Sequence, residues 1–276
     1  MTPEAENTAP RPKRVSVVIV SLNRERQVRR SLEALGTAHQ TIVVDNGSSD
    51  GTLDLELVFP ETRFIRLPRN FGHTKALNLG IRAADAEMVL LLHDDVCMGG
   101  EDVSLLADVL EARSEVGAVC PLLTSAAGSP VGQVRTLPTP GAPDPALRPA
   151  AGETAECVAG AAIMVRAAFL RAMRYLDESY GSYGSELDLC WQLRNAQKKI
   201  VIVREAKAVH DQSPSPVSGS MLEGDRACGT ATFLGKRHGI MAGALYRVKS
   251  SVGALFTLRF SVVSGLLGGA KIDGTR

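Results

Sequence analysis

A series of short apolar runs, each stopping abruptly at polar residues, dominates the first hundred positions. Val15-Ser16-Val17-Val18-Ile19-Val20 is β-branched and almost wholly apolar, as suits a strand buried on both faces of a parallel sheet. It turns at Ser21-Leu22-Asn23-Arg24 into a stretch with Val28, Leu32 and Leu35 on one helical face. Thr41 to Val44 repeats the strand signature and runs into a dense cluster of turn residues, Asp45 to Thr52. Arg63 to Leu67 reads as a third strand, Thr74 to about Ala84 as a helix, and Glu87 to Leu92 as a fourth strand that ends at His93-Asp94-Asp95.

This alternation predicts an α/β fold with a mostly parallel, doubly wound sheet, helices on both faces and a ligand site beyond the carboxyl ends of the strands. Polar clusters stand at those ends, after Val20, Val44 and Leu92. The second half is less regular. A helix near Val103 to Arg113 leads to a strand at Gly117 to Cys120. Seven of the 14 prolines then fall between Pro121 and Pro149, which reads as loop or edge structure. A strand at Ala161 to Val165, helices at Ala167 to Met173 and from about Glu186 through Leu193, and a strand at Ile200 to Val203 follow, with His210 shortly after.

Composition narrows the function classes. With 45% hydrophobic and 22% charged residues the chain is ordinary globular protein. A net charge of +1 and an aromatic fraction of 4% argue against nucleic acid as a partner. Five scattered cysteines, none in C-x-x-C spacing, argue against a disulfide framework or a structural zinc site. Residues 1–13 read as a disordered tail with no secretory signal, so the expected location is cytoplasmic. The turn after Val20 has no G-x-G-x-x-G and the chain has no G-x-x-x-x-G-K-[ST], against a dinucleotide-dependent oxidoreductase and a P-loop enzyme.

The sharpest chemical signal is His93-Asp94-Asp95. Carboxylates at the end of an apolar strand need a compensating cation or donor. A divalent metal supplies one, and Mg²⁺ or Mn²⁺ takes oxygen ligands while leaving positions for substrate phosphates; a solvated turn is the alternative. Asp45, after the second strand, suits an N–H donor of a nucleobase or a ribose hydroxyl. Glu186 and Asp188 open a helix, where acids favour the dipole, and either is also a candidate general base. His210 is a candidate metal ligand.

Together, Val15 to Asn23, Val43 to Thr52, Asn70-Phe71-Gly72 with Asn78-Leu79-Gly80, Leu92 to Val96, Leu176-Asp177-Glu178, Glu186 to Trp191 and His210 resemble, in order and spacing, glycosyltransferase family 2 in its bacterial rhamnosyltransferase-like branch. The resemblance covers roughly residues 14 to 240. It implies a GT-A fold over 14–238, a nucleotide diphosphate-sugar donor, a glycan or lipid-linked acceptor, a divalent metal (Mn²⁺ or Mg²⁺) and inversion at the anomeric carbon, with a role in cell-surface polysaccharide or glycolipid synthesis. Carried over residue by residue, Ser21, Asn23 and Asn70 line the donor pocket, Asp45 holds the base, Asp94 lies beside the ribose or donor sugar, Asp95 and His210 bind metal, and Glu186 is the base with Asp188 as the fallback. Two positions depart from the pattern. His93 stands where the family usually has Asp or Asn, and Ser185-Glu186 where it usually has Glu-Asp. These departures also admit a non-catalytic module that binds a nucleotide-sugar without turnover.

Residues 239–276 are rich in Leu, Val, Phe and Ala, punctuated by Arg247, Lys249, Arg259 and Lys271. Their longest charge-free run, Phe260 to Ala270, is too short to span a bilayer. The expectation is a helix or helix pair over about 240–270 that lies at a membrane surface, or packs on the catalytic domain or in a homodimer contact.

Overall fold

The computed structural model describes residues 13–268; most of the expected tail, together with Lys271, lies outside them. The elements in chain order are β1 (Val15–Ser21), α1 (Glu25–Leu35), β2 (Gln40–Asp45), α2 (Leu55–Val58), β3 (Arg63–Arg66), α3 (His73–Arg82), β4 (Met88–His93), β5 (Val96–Met98), α4 (Gly100–Ala112), β6 (Val116–Thr124), β7 (Val134–Arg135), β8 (Thr154–Ala155), β9 (Cys157–Val158), β10 (Ala162–Arg166), α5 (Ala167–Ala172), α6 (Ser185–Asn195), β11 (Lys199–His210), α7 (Gly219–His238), α8 (Ile240–Phe256) and α9 (Phe260–Gly268).

The central sheet runs β3-β2-β1-β4-β10-β6-β11-β5, with β8 also on β11. β1 pairs in parallel with β2 and β4, and β2 with β3. β10 enters antiparallel between β4 and β6, and β11 lies parallel to β6. The sheet is therefore mostly parallel, with β5, β8 and β10 opposed. Alternation along β1 explains the two cores. Val15, Val17 and Ile19 pack with Val28 and Leu32 of α1 and Leu106 and Leu110 of α4. Val18 and Val20 face the other way, onto Ala76 and Ile81 of α3 and Leu187 of α6.

Several motif residues build this frame. Gly80 lets α3 approach β1 so closely that a Cβ there would stand 2.3 Å from Val18 Cγ1. Gly47 has φ +88° and presses on the backbone of Arg69. Asn78, fully buried, donates to the Leu176 carbonyl (2.8 Å) and accepts the Leu176 N–H (3.0 Å), tying α3 to the segment before α6.

The structure extends the sequence reading in three places. β6 continues through Pro121 to Thr124. The missing N–H is tolerated because pairing with β11 shifts register there, between Val203 and Lys207. The Gln133 amide then serves the strand, donating to the Pro121 carbonyl (2.5 Å) and accepting the Leu123 N–H (3.1 Å). β11 runs on from Val203 to His210, so that histidine ends a strand. And α7, 20 residues long, begins at Gly219, in a stretch the apolar pattern left unassigned. All five cysteines are free thiols.

Candidate active site

Register places the polar clusters together. Ser21 pairs with Asp45 across β1 and β2, and Val20 with His93 across β1 and β4. His210 pairs with Val96 across β11 and β5, and the Asp211 N–H donates to the Asp95 carbonyl (3.0 Å). The end of β11 is thus brought to the turn after β4 by sheet hydrogen bonds. A cleft of about 280 Å³ opens at these strand ends, lined by Ser21, Arg24, Asn46, Asn70, His93, Asp94 and Asp95 among others, and by Ser213 to Val217 beyond β11.

One atom each of His93, Asp95 and His210 lies within 4.8 Å of the others. His210 Nε2 stands 3.4 Å from Asp95 Oδ1, while its buried Nδ1 has no hydrogen-bond partner among the described residues. Two imidazoles and a carboxylate, beside a cleft with room for phosphate oxygens, fit a divalent cation. Burial, the largest influence, holds His93 below the usual imidazole range, which keeps the neutral form that can ligate. Asp95 titrates low: burial pushes it up, but the hydrogen bond to His210 and the charges of His93, His210 and Arg24 together outweigh that.

Glu186, in the first turn of α6, lines a small recess of about 40 Å³ with His73, His93 and Gly160; His73 and His93 also line the cleft. Its Oε1 takes Arg135 Nη2 (2.9 Å) and its Oε2 takes the Gly184 N–H (2.8 Å). Arg135 also donates to the Tyr183 hydroxyl (2.8 Å). Asp188 is two residues along the same helix and points elsewhere. It is buried against Arg237 of α7, whose guanidinium stacks 3.8 Å over Trp191. The cleft and Asp188 are not brought together.

Residues 16–171, more than half of the chain, match the family described as Glycosyl transferase family 2. The chain belongs to glycosyltransferase family 2. Among curated relatives it is 23% identical, over 224 residues, to the low-salt glycan biosynthesis hexosyltransferase Agl10 of Haloferax volcanii, covering 76% of this chain and 70% of Agl10. Among solved structures, S. aureus TarS 1-349 superposes with a TM-score of 0.56 at 16% identity, over 80% of this chain and 65% of the TarS fragment. The family 2 chain thus spans just under two thirds of that fragment. The mannosyltransferase PcManGT of Pyrobaculum calidifontis, solved with GDP-Man and Mn²⁺, superposes with a TM-score of 0.57 at 14% identity, over 93% of this chain and 74% of PcManGT. Likeness at these identities establishes the fold.

Of the other expected donor residues, Asn70 lines the cleft, whereas Asp45 and Asn23 are not among its lining residues. Asp45 is 1% exposed and accepts the Ser48 N–H (3.2 Å). Asn23 takes a positive φ of 53°, donates its N–H to Ser48 Oγ (2.8 Å) and accepts the Ser49 N–H at Oδ1 (2.7 Å). Asn70 accepts from Asn46 Nδ2 (2.9 Å) and from the Gly72 N–H (2.8 Å). Asn46 and Asn70 face the cleft, whereas Asp45 and Asn23 shape the loop that carries Asn46.

Four groups of this family 2 site went unnoticed in the sequence. Arg24, 8% exposed, lies 3.9 Å from Asp94 Oδ2 and donates to the Ser213 carbonyl (3.2 Å). His73 opens α3 edge-on to His93, centroids 5.3 Å apart, and burial chiefly, with the His93 charge, lowers its pKa to about 3. Arg135 comes from the proline-rich excursion. Asp225 of α7 accepts the N–H groups of Ser182 (2.9 Å) and Tyr183 (3.0 Å), holding the segment that leads into α6. A basic residue just past the first strand was the one available cue, for Arg24.

Asp94 is held high, at about 7, by burial first and the nearby Asp95 charge, against the pull of Arg24 and the Ser21 hydroxyl. A carboxyl with a higher pKa folded than unfolded supports the fold in acid. That contribution is lost as pH rises from about 4 towards 7. A divalent cation beside it favours the carboxylate. Nucleotide binding with Mn²⁺ at pH 7 is therefore expected to release up to about half a proton, and almost none at pH 8.5. Calorimetry in two buffers of different ionisation enthalpy measures this, and Asp94→Asn should remove the pH 7 release. Proton uptake instead would contradict the assignment.

Proposed function

We propose that the protein is an inverting glycosyltransferase that moves a sugar from a nucleotide diphosphate-sugar to an acceptor hydroxyl of a glycan or lipid-linked saccharide. The carrying observation is the His93-Asp95-His210 group beside a phosphate-sized cleft, with Glu186 lining an adjoining recess that His93 also lines. TarS has been solved with UDP-GlcNAc and PcManGT with GDP-Man and Mn²⁺, which supports a donor of this class.

Asp95, His93 and His210 would hold a divalent cation, which would supply positive charge to stabilise the diphosphate leaving group. The two nitrogen donors suit Mn²⁺ better than Mg²⁺. Asn46 and Asn70 offer amide groups to the nucleoside, and Ser21 and Asp94 offer a hydroxyl and a carboxyl to the ribose or sugar. Glu186 accepts the proton of the acceptor hydroxyl. As it does so the acceptor oxygen bonds to the anomeric carbon, and the bond from that carbon to the diphosphate oxygen breaks, its electron pair leaving with the diphosphate. Arg135 and the Gly184 N–H fix the carboxylate in orientation. One displacement from the opposite face inverts the centre.

The test is a panel of nucleotide-sugars with Mn²⁺ or Mg²⁺, read by release of nucleotide diphosphate. Proton NMR of the product then reports the anomeric configuration. An α-linked donor should give a β-linked product. Retention would overturn the single displacement, and metal-dependent binding without turnover on any acceptor would favour the non-catalytic module.

A further inference from the structure

The C-terminal helices are packed the reverse way from the catalytic domain. Their closest inner contacts are made by small residues. A Cβ on Gly243 of α8 would stand 2.7 Å from the Ala231 carbonyl oxygen and 2.9 Å from Gly235 Cα, both in α7. A Cβ on Gly265 of α9 would stand 2.7 Å from the Gly224 carbonyl oxygen. Helices that cross glycine on glycine bring their backbones together and leave little room for large side chains at the crossing.

Val262 and Leu266 of α9 are buried with Ala227, Ala231 and Ala254, but most large apolar side chains of α8 are outside. Met241, Leu245, Val248, Val252 and Leu255 recur at alternating steps of four and three along α8, on one face, and are between 48% and 80% exposed. Phe256, Leu258 and Phe260 cluster at the α8–α9 turn, 62% to 86% exposed. Among the described residues no helix is long and apolar enough to cross a membrane.

Charge selects the occupant of this face. Residues 240–268, which make α8 and α9, have no acid and three cations, Arg247, Lys249 and Arg259; Arg226, Lys236 and Arg237 of α7 are instead paired with Asp144, Asp177 and Asp188. Arg247 is turned inward onto the Leu266 carbonyl (2.6 Å), and Arg259 pairs with Glu223 (2.8 Å) at the rim. Lys249 is exposed beside the stripe. A second copy would set the cations of α8 and α9 against their own equivalents, since neither helix has an acid. The stripe and the aromatic turn both need a cover. An anionic bilayer covers both and carries the opposite charge.

We infer that α8 and α9 form a monotopic helix pair that embeds its outer face in the interfacial region of an anionic membrane. α7 joins this pair to the catalytic site, since the helix that carries Gly224 and Gly235 also carries Asp225 and Arg237. The inference is independent of the sugar transferred.

Flotation of the full chain tests it, with vesicles of phosphatidylglycerol and phosphatidylethanolamine and with vesicles of phosphatidylcholine alone. The protein is expected to float with the anionic vesicles and less with the neutral ones, and added salt should weaken the binding. The variant Leu245→Ser/Val252→Ser/Phe256→Ser should lower partitioning roughly tenfold or more while keeping its circular dichroism spectrum, because all three side chains point outward. A Phe256→Trp protein in Trp191→Phe background should be quenched by brominated acyl chains. Failure of the folded full chain to float overturns the proposal, as does unchanged partitioning of the triple variant. So does a triple variant that turns a sedimenting dimer into a monomer without altering flotation, which would make the face a subunit contact. Donor turnover on a soluble acceptor, measured alongside, reports the glycosyltransferase reading separately.

Discussion

Asp95→Ala is expected to abolish turnover and to weaken Mn²⁺-dependent nucleotide affinity by roughly two orders of magnitude or more. The fold should tolerate the change. The side chain's contact is with His210, and the hydrogen bond from Asp211 goes to the Asp95 backbone carbonyl, which alanine retains. Loss of the carboxylate leaves two neutral donors with no anionic ligand between them, so the cation would be held chiefly by the nucleotide. Calorimetry with and without Mn²⁺ separates this from a general weakening, because metal-free affinity should change little. Unchanged affinity in Mn²⁺ for a folded Asp95→Ala protein would show that the metal site lies elsewhere.

Glu186→Gln should lower kcat by roughly 10²-fold or more and leave donor affinity nearly intact. Glutamine keeps the shape and can still accept the Gly184 N–H, but it cannot take the acceptor's proton; it also removes the anion beside buried Arg135, so kcat is compared on protein shown to be folded. Asp188→Asn tests a different property. Asp188 and Arg237 form a buried pair, and breaking such a pair costs about 3–5 kcal/mol of stability because the remaining charge is stranded. Its variant should unfold at lower temperature, and the fraction that stays folded should turn over. Full activity in Glu186→Gln together with a folded, inactive Asp188→Asn would exchange the two roles.

The contrast between these two acids marks what sequence can and cannot carry. Both open the same helix, and both are acids near its positive end. Their directions are set by what α7 and the proline-rich excursion bring against them, Arg237 to one and Arg135 to the other. Neither cation is near in sequence, so no local pattern announced the difference. The parallel half was readable for the opposite reason: the burial of β1, β2 and β4 on both faces writes itself as unbroken apolar runs, and their ends mark the cleft. α7 was hidden because Gly219, Gly224, Gly229 and Gly235 argue against a helix. Two of those glycines serve close approach: a Cβ on Gly229 would stand 2.4 Å from the Tyr183 carbonyl oxygen and one on Gly224 2.8 Å from the Ser261 carbonyl oxygen, whereas one on Gly219 would meet nothing within 4 Å. Likewise the helix of residues 240–256 runs through Gly243 and Gly253 and breaks at Leu258, whose φ is 55°, rather than at a glycine.

The order of strands in the sheet also governs how the protein is made. β4 and β6 are neighbours only through β10, which leaves the ribosome after both. From the emergence of His93 to that of Arg166, roughly 4–15 s of synthesis at typical rates, β4 presents an unpaired apolar edge. The nascent β1–β4 unit is therefore an aggregation hazard for that interval and a natural client for a holding chaperone. His210, which the proposed metal site needs, appears later still, after the whole of β4, β6 and β10.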